Sequence, residues 1–217
     1  MNTQQGLRMV YNNAIRSLSD AGYSPAQIHE AVLSQSYLRF EQLLTDTTQL
    51  IKFPVLVNQT SSGAAIRNTE VRLNLQDAFI VSDIQFYLAA AGSLTAVNFV
   101  LDTYPNSVTY PTGAANLEVI YNAYLNIGVN NRTIVPRMSM QKFRQVPQTQ
   151  LTADVISPID QYDGTQSVIV EPNIVFNGQK QTDVSVVLPG AIGTVDANTY
   201  LVMICNGLLA QNVTVVS

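Results

Sequence analysis

His29 is the only imidazole in the 217-residue chain, so a site built on several histidine ligands is excluded and one base at most is available. A Ser-His-Asp triad would need His29 to meet a serine and a carboxylate, and the sequence has no Gly-x-Ser-x-Gly elbow to nominate that serine. His29 therefore reads as a boundary histidine near the start of a helix. The densest acidic pair is Asp160 and Asp163 in SPIDQYDGTQ. Such a loop could offer oxygens to a hard cation, but its spacing does not follow the EF-hand pattern, and a solvated Asp-Gly turn accounts for it. Glu41 and Asp46 read as surface charges. Cys205, the one cysteine, lies in the apolar run Tyr200 to Cys205 and reads as a small buried hydrophobe. Gly190 to Gly193 has neither the lysine nor the following helix of a phosphate-cradling loop. No catalytic residue, cofactor-binding residue or metal ligand is expected, and the chain does not read as an enzyme.

Composition narrows the classes further. Charged residues make up 12% of the chain, against roughly 25% in an average soluble protein, so Asn, Gln, Ser and Thr must supply most of the polar surface. That balance favours extensive protein contacts. A formal net charge of −4 argues against nucleic acid as the main partner, because phosphate affinity comes from clustered Lys and Arg. The first residues lack the basic region, apolar core and small-residue cleavage site of a secretory signal, and no apolar run approaches the roughly 20 residues that span a bilayer. Three Asn-x-Ser/Thr tripeptides, at Asn58, Asn131 and Asn212, are expected by chance in a chain so rich in Asn and Thr.

The elements that must position these residues fall into two textures. Leu7, Val10, Tyr11, Ala14, Ile15 and Leu18 have helical spacing, which predicts a first helix over about 5–19 that ends near Gly22. Ser24-Pro25-Ala26-Gln27 is a capping box with Pro at the first helical position, and Tyr23 and Ile28 stand where a hydrophobic staple requires. The wide apolar arc that follows predicts a second helix to about Leu44, paired antiparallel with the first. Residues 1–48 thus form a helical arm and 49–217 a β domain.

Beyond Asp46 the chain breaks into short apolar or alternating runs separated by Gly, Pro and Asn. Strands are expected at Phe53–Val57, Glu70–Leu75, Ala78–Ala90, Ala96–Asp102, Leu117–Ile127, Thr133–Phe143 and Tyr200–Leu209. Ser167 to Gly190 reads as one hairpin about an Asn177-Gly178 turn, with Pro172 at an edge or bulge. The fold class is mainly β: an antiparallel β-sandwich, a jelly roll by its near-eight strands, behind an N-terminal helical hairpin.

With its arm, its short strands and the runs VEPNIVFNGQKQTDVSVVLPG and YLVMICNGLLAQN, the chain resembles virion structural proteins, in the style of single jelly-roll bacteriophage capsid proteins. The resemblance implies self-assembly into a homo-oligomer and contact with other virion proteins, in a virion put together in the host cytoplasm. The stripe Leu7, Val10, Tyr11, Ala14, Ile15 and Leu18 is the expected assembly contact. Unlike many capsid arms, this one is not basic, which argues against direct genome contact. The alternative is a carbohydrate-binding or adhesin sandwich using loop aromatics, for which Tyr104, Tyr110 and Tyr162 are the candidates.

Overall fold

The structure, a computed structural model, describes residues 3–54, 73–90, 101–146 and 167–214, with side chains from residue 11 onward. The chain opens with α1 (Thr3–Asp20), which stops in the paired bonds of a Schellman motif. The Tyr23 N–H donates to the Leu18 carbonyl at 3.1 Å and the Gly22 N–H to that of Ser19 at 3.0 Å. α2 (Pro25–Glu30) starts on the capping box read from the sequence, with the Ser24 hydroxyl accepting from the Gln27 N–H.

Among the described residues nine strands follow: β1 (Val32–Leu43), β2 (Leu50–Pro54), β3 (Ala78–Ala90), β4 (Leu101–Asp102), β5 (Tyr124–Val129), β6 (Arg132–Ser139), β7 (Val168–Asn177), β8 (Thr182–Val187) and β9 (Thr199–Gln211). One antiparallel sheet is five-stranded, ordered β1-β9-β3-β4 with β7 also on β3; the other is four-stranded, ordered β2-β8-β5-β6. The pairing is nested. β1 pairs with β9, β2 with β8, β3 with β7, and β5 with β6, so the chain forms one long double ribbon closed at the β5–β6 turn. Ladders from β3 to β9 and from β5 to β8 then roll that ribbon into two layers.

The layers share one core. Leu38, Phe79, Phe86 and Met203 from the five-stranded sheet meet Phe53, Leu125, Val184 and Val186 from the other. Phe86 is held between Phe53 and Phe143, with ring centroids 5.9 and 4.8 Å away. A mainly β antiparallel sandwich with a leading helix is therefore the fold.

Four expectations change. The second helix ends at Glu30, not near Leu44, and 32–43 is strand β1, so the helical arm stops well short of residue 48. All twelve residues of β1 pair with β9, and that ladder overrides a spacing that suits a helix equally well. Leu117 is instead the last residue of a short helix, α3 (Ala114–Leu117), and a 3-10 turn carries the chain to Asn122 before β5 begins. Met140–Phe143 is likewise a 3-10 turn.

The expected hairpin at Ser167–Gly190 is also rearranged. Both arms are strands, yet β7 pairs with β3 and β8 with β2 and β5, so the turn between them steps from one sheet to the other. Gly178 does not take positive φ there; it is required because a Cβ would collide with the Asn74 carbonyl. The tight turn with positive φ is Asn130-Asn131, at φ 54° and 61°, between β5 and β6. Pro172 behaves as expected: it lies where the β3–β7 register jumps, between the pairs Val81↔Ile174 and Asp83↔Ile169.

Candidate functional site

One face of the five-stranded sheet packs on the core, and the opposite face carries most of what could be functional. Along β1, Leu38 and Phe40 point to the core, so Tyr37, Arg39, Glu41 and Leu43 point outward. The ladders align them in rows across the outer face: Tyr37 with Asn206 and Asp83, Arg39 with Ile204 and Gln85, Glu41 with Val202 and Tyr87, Leu43 with Tyr200 and Ala89.

This face has three zones. At one end Ala14 and Leu18 of α1 and Tyr23 close over Ala78, Ile80, Val175 and Ala210. At the other, Tyr87, Ala89, Tyr200 and Val202 form a second buried apolar cluster. Between them runs a polar belt of Gln35, Tyr37, Asp83, Gln85 and Asn206, which lines a shallow cleft of about 570 Å³.

A backbone device creates the belt. In β3, Phe79 and Val81 face the core, and strict alternation would send residue 83 inward as well. A bulge at Ser82 breaks the register between Val81 and Asp83, so that Ile84, Phe86 and Leu88 take the inward places and Asp83 and Gln85 turn out. Bulges re-aim side chains in this way. Gly207 opposes the bulge, where a Cβ would collide with the Ile80 carbonyl. The Ser82 hydroxyl donates to the Asn206 carbonyl at 3.0 Å, and Asn206 Nδ2 donates to Asp83 Oδ1 at 2.7 Å.

The sequence-expected assembly stripe is split by this arrangement. Ala14 and Leu18 are fully buried against the sheet of their own chain, which assigns them to the fold. Ile15 is half-buried and Tyr11 is 51% exposed. Leu7 and Val10 lie on the same helix, with side chains outside the described residues. α1 rests on the sheet in place of the expected antiparallel helix, and a bond from Asn173 Nδ2 to the Ser17 hydroxyl, at 3.3 Å, ties it to β7.

The remaining candidates disperse. His29 is exposed on α2. Glu41, expected as a surface charge, has a side chain only 5% exposed and pairs with Arg39 at 2.7 Å; Asp46 is exposed and accepts from the Val195 N–H. Cys205 faces the core, and burial pushes its thiol well up from its usual range, away from nucleophilic use. Tyr110 is fully buried and donates to Asp102 Oδ2 at 3.1 Å, so it cannot stack on a sugar; Tyr104 is half-buried. Asp160, Asp163 and Tyr162 lie outside the described residues. Asn131 and Asn212 both sit at positive φ, a conformational use of asparagine. Among the described residues no group of three metal-ligating side chains gathers, and no helix is long and apolar enough to cross a membrane.

Sequence reasoning missed the belt. Its signal was present as Ser82-Asp83, a polar pair inside the apolar run Ala78–Ala90, and as the glycine after Asn206. No protein-family model, curated protein or solved structure matches the chain significantly.

Proposed function

We propose that this protein is a structural subunit of a virus particle, a self-assembling capsid or capsid-associated jelly roll that works through subunit contacts and not through catalysis. The observation that carries the reading is the nested order of the strands, β1 with β9, β2 with β8, β3 with β7 and β5 with β6. A double ribbon rolled into two four-stranded layers, leaving aside the two-residue β4, supports a jelly-roll reading, an arrangement that viral shells and lectins use. The low charge fraction and the leading helix favour the shell. α1 is seated through Ala14 and Leu18, while Tyr11 one turn earlier stands half in solvent; Leu7, Val10, Tyr11 and Ile15 then supply the contact to a neighbouring copy. Homo-oligomerisation, contact with other virion proteins and residence in a virion assembled in the host cytoplasm follow from that role.

The test is the mass of the purified chain in solution. The reading requires a closed oligomer or shell, with each contact burying more than about 1,000 Å², visible by light scattering and by electron microscopy of the same fractions. A strictly monomeric chain at every concentration tried overturns it.

A further inference from the structure

We propose that the polar belt on the outer face of the five-stranded sheet is a binding site for a neutral saccharide, with Tyr37 as the stacking platform and Asp83, Gln85 and Asn206 as partners for ring hydroxyls. The site is separate from the helix surface assigned to assembly, and it does not depend on that assignment.

Three features of the belt fit a sugar and fit other ligands poorly. It pairs an aromatic ring with convergent polar groups: Tyr37 is 44% exposed on the edge strand, and the ladder sets it in one row with Asn206 and Asp83. A tyrosine ring offers an apolar face to the C–H side of a pyranose and a polar tip to its hydroxyls. Ile169, paired with Asp83 on the neighbouring strand, is 71% exposed and leaves apolar surface next to the belt.

The polar groups are held in place before any ligand arrives. Gln85 is 4% exposed, and its Oε1 accepts from the Tyr87 hydroxyl at 3.1 Å, which leaves Nε2 to donate. Asp83 Oδ1 accepts from Asn206 at 2.7 Å, which leaves Oδ2 to accept. A donor and an acceptor fixed side by side match vicinal hydroxyls, each of which both gives and takes a hydrogen bond. The Ser82 bulge and Gly207 exist at the cost of regular pairing and serve to turn Asp83 out of the core. This device sets the position apart from an ordinary solvated face.

Charge selects the class. A carboxylate in the floor of the cleft, in a chain of net charge −4, repels phosphate and other anions, and the nearby Arg39 is engaged by Glu41. The volume of about 570 Å³ lies in the usual range for ligand clefts, roughly 300–1,000 Å³, and gives room for a short oligosaccharide.

The experiment is saturation-transfer NMR on the full chain with a panel of methyl glycosides of glucose, galactose, mannose and N-acetylglucosamine, and with inorganic phosphate as the anion control. At least one glycoside should receive saturation at its ring C–H protons, and phosphate should not compete. Tyr37→Ala and Asp83→Asn should each weaken binding about tenfold or more, equivalent to about 1.4 kcal/mol, while Tyr37→Phe keeps it; circular dichroism checks that each variant is folded. Transfer to no glycoside in the panel overturns the proposal. So does transfer that Tyr37→Ala and Asp83→Asn leave unchanged. Either result leaves the assembly reading standing, because that reading is decided by mass.

Discussion

The two sheets of this sandwich use their outer faces differently. In the four-stranded sheet, β5 and β8 alternate strictly: Leu125, Ile127, Val184 and Val186 are buried, while Asn126, Asp183 and Ser185 face away from the core. In the five-stranded sheet, β3 is buried almost throughout and β9 over its first five residues, because many of their outer residues belong to a second and a third apolar cluster. An antiparallel sheet with one wet face needs only alternation. A sheet face that carries apolar residues needs a cover, and at one end of this outer face the cover is the docked helix α1, next to the polar belt that the Ser82 bulge turns outward.

The comparison makes graded predictions. Phe86→Ala removes a ring packed against Phe53 of the opposite sheet and should cost about 3–5 kcal/mol, lowering both sheets together in a denaturant titration. Separate transitions for the two sheets would break the picture of one shared core. Leu18→Ala empties a fully buried place under α1 only. Its cost should lie near the lower end of the range for such truncations, about 2 kcal/mol, with hydrogen-exchange protection lost along α1 and kept in β8. Equal loss in both places would mean that the helix is part of the central core.

A pH scan sharpens the same contrast. Burial pushes the Tyr23 hydroxyl up to about 12, whereas an unfolded tyrosine ionises near 10. A raised value means that the folded state resists ionisation, so the stability is present below about pH 10 and is lost as the pH rises toward 12. The helix-covered end should loosen across that window, and Tyr23→Phe should remove this part of the loss; an unchanged alkaline profile in Tyr23→Phe would contradict it. The smallest effect is expected on the wet face of the four-stranded sheet. Lys52, exposed on β2 between buried Ile51 and Phe53, should tolerate alanine within about 0.5 kcal/mol, and a larger loss would mean that this face too is covered.

The regular parts of the fold were legible in the sequence because local chemistry decides them. The Ser24 capping box, the end of α1 at Gly22 and the strand Ala78–Ala90 all stand where composition and spacing put them. The misreadings arose where long-range pairing decides. Tyr37, Phe40, Leu43 and Leu44 have a spacing that serves a helix or a strand covered on both faces, and only the ladder to β9 selects the strand. Asn177-Gly178 marks a turn in the sequence, but which sheets that turn joins depends on β3 and β2, both distant in the chain. The polar belt was invisible as a site for the same reason: Tyr37, Asp83 and Asn206 meet only once β1, β9 and β3 lie side by side.

The claim that α1 is seated by its C-terminal half and assembles through its N-terminal half is tested most directly by light scattering on the full chain and on its Tyr11→Asp variant. Tyr11 is 51% exposed and Leu18 is fully buried, so the substitution places a charge on the exposed earlier turn of the same helical stripe and leaves the seat at Ala14 and Leu18 intact. The account predicts an oligomer for the native chain and a smaller species, ideally the monomer, for Tyr11→Asp, with the same circular dichroism spectrum and denaturant midpoint for both. A variant that assembles to the native mass, or a native chain that is already monomeric, would contradict it.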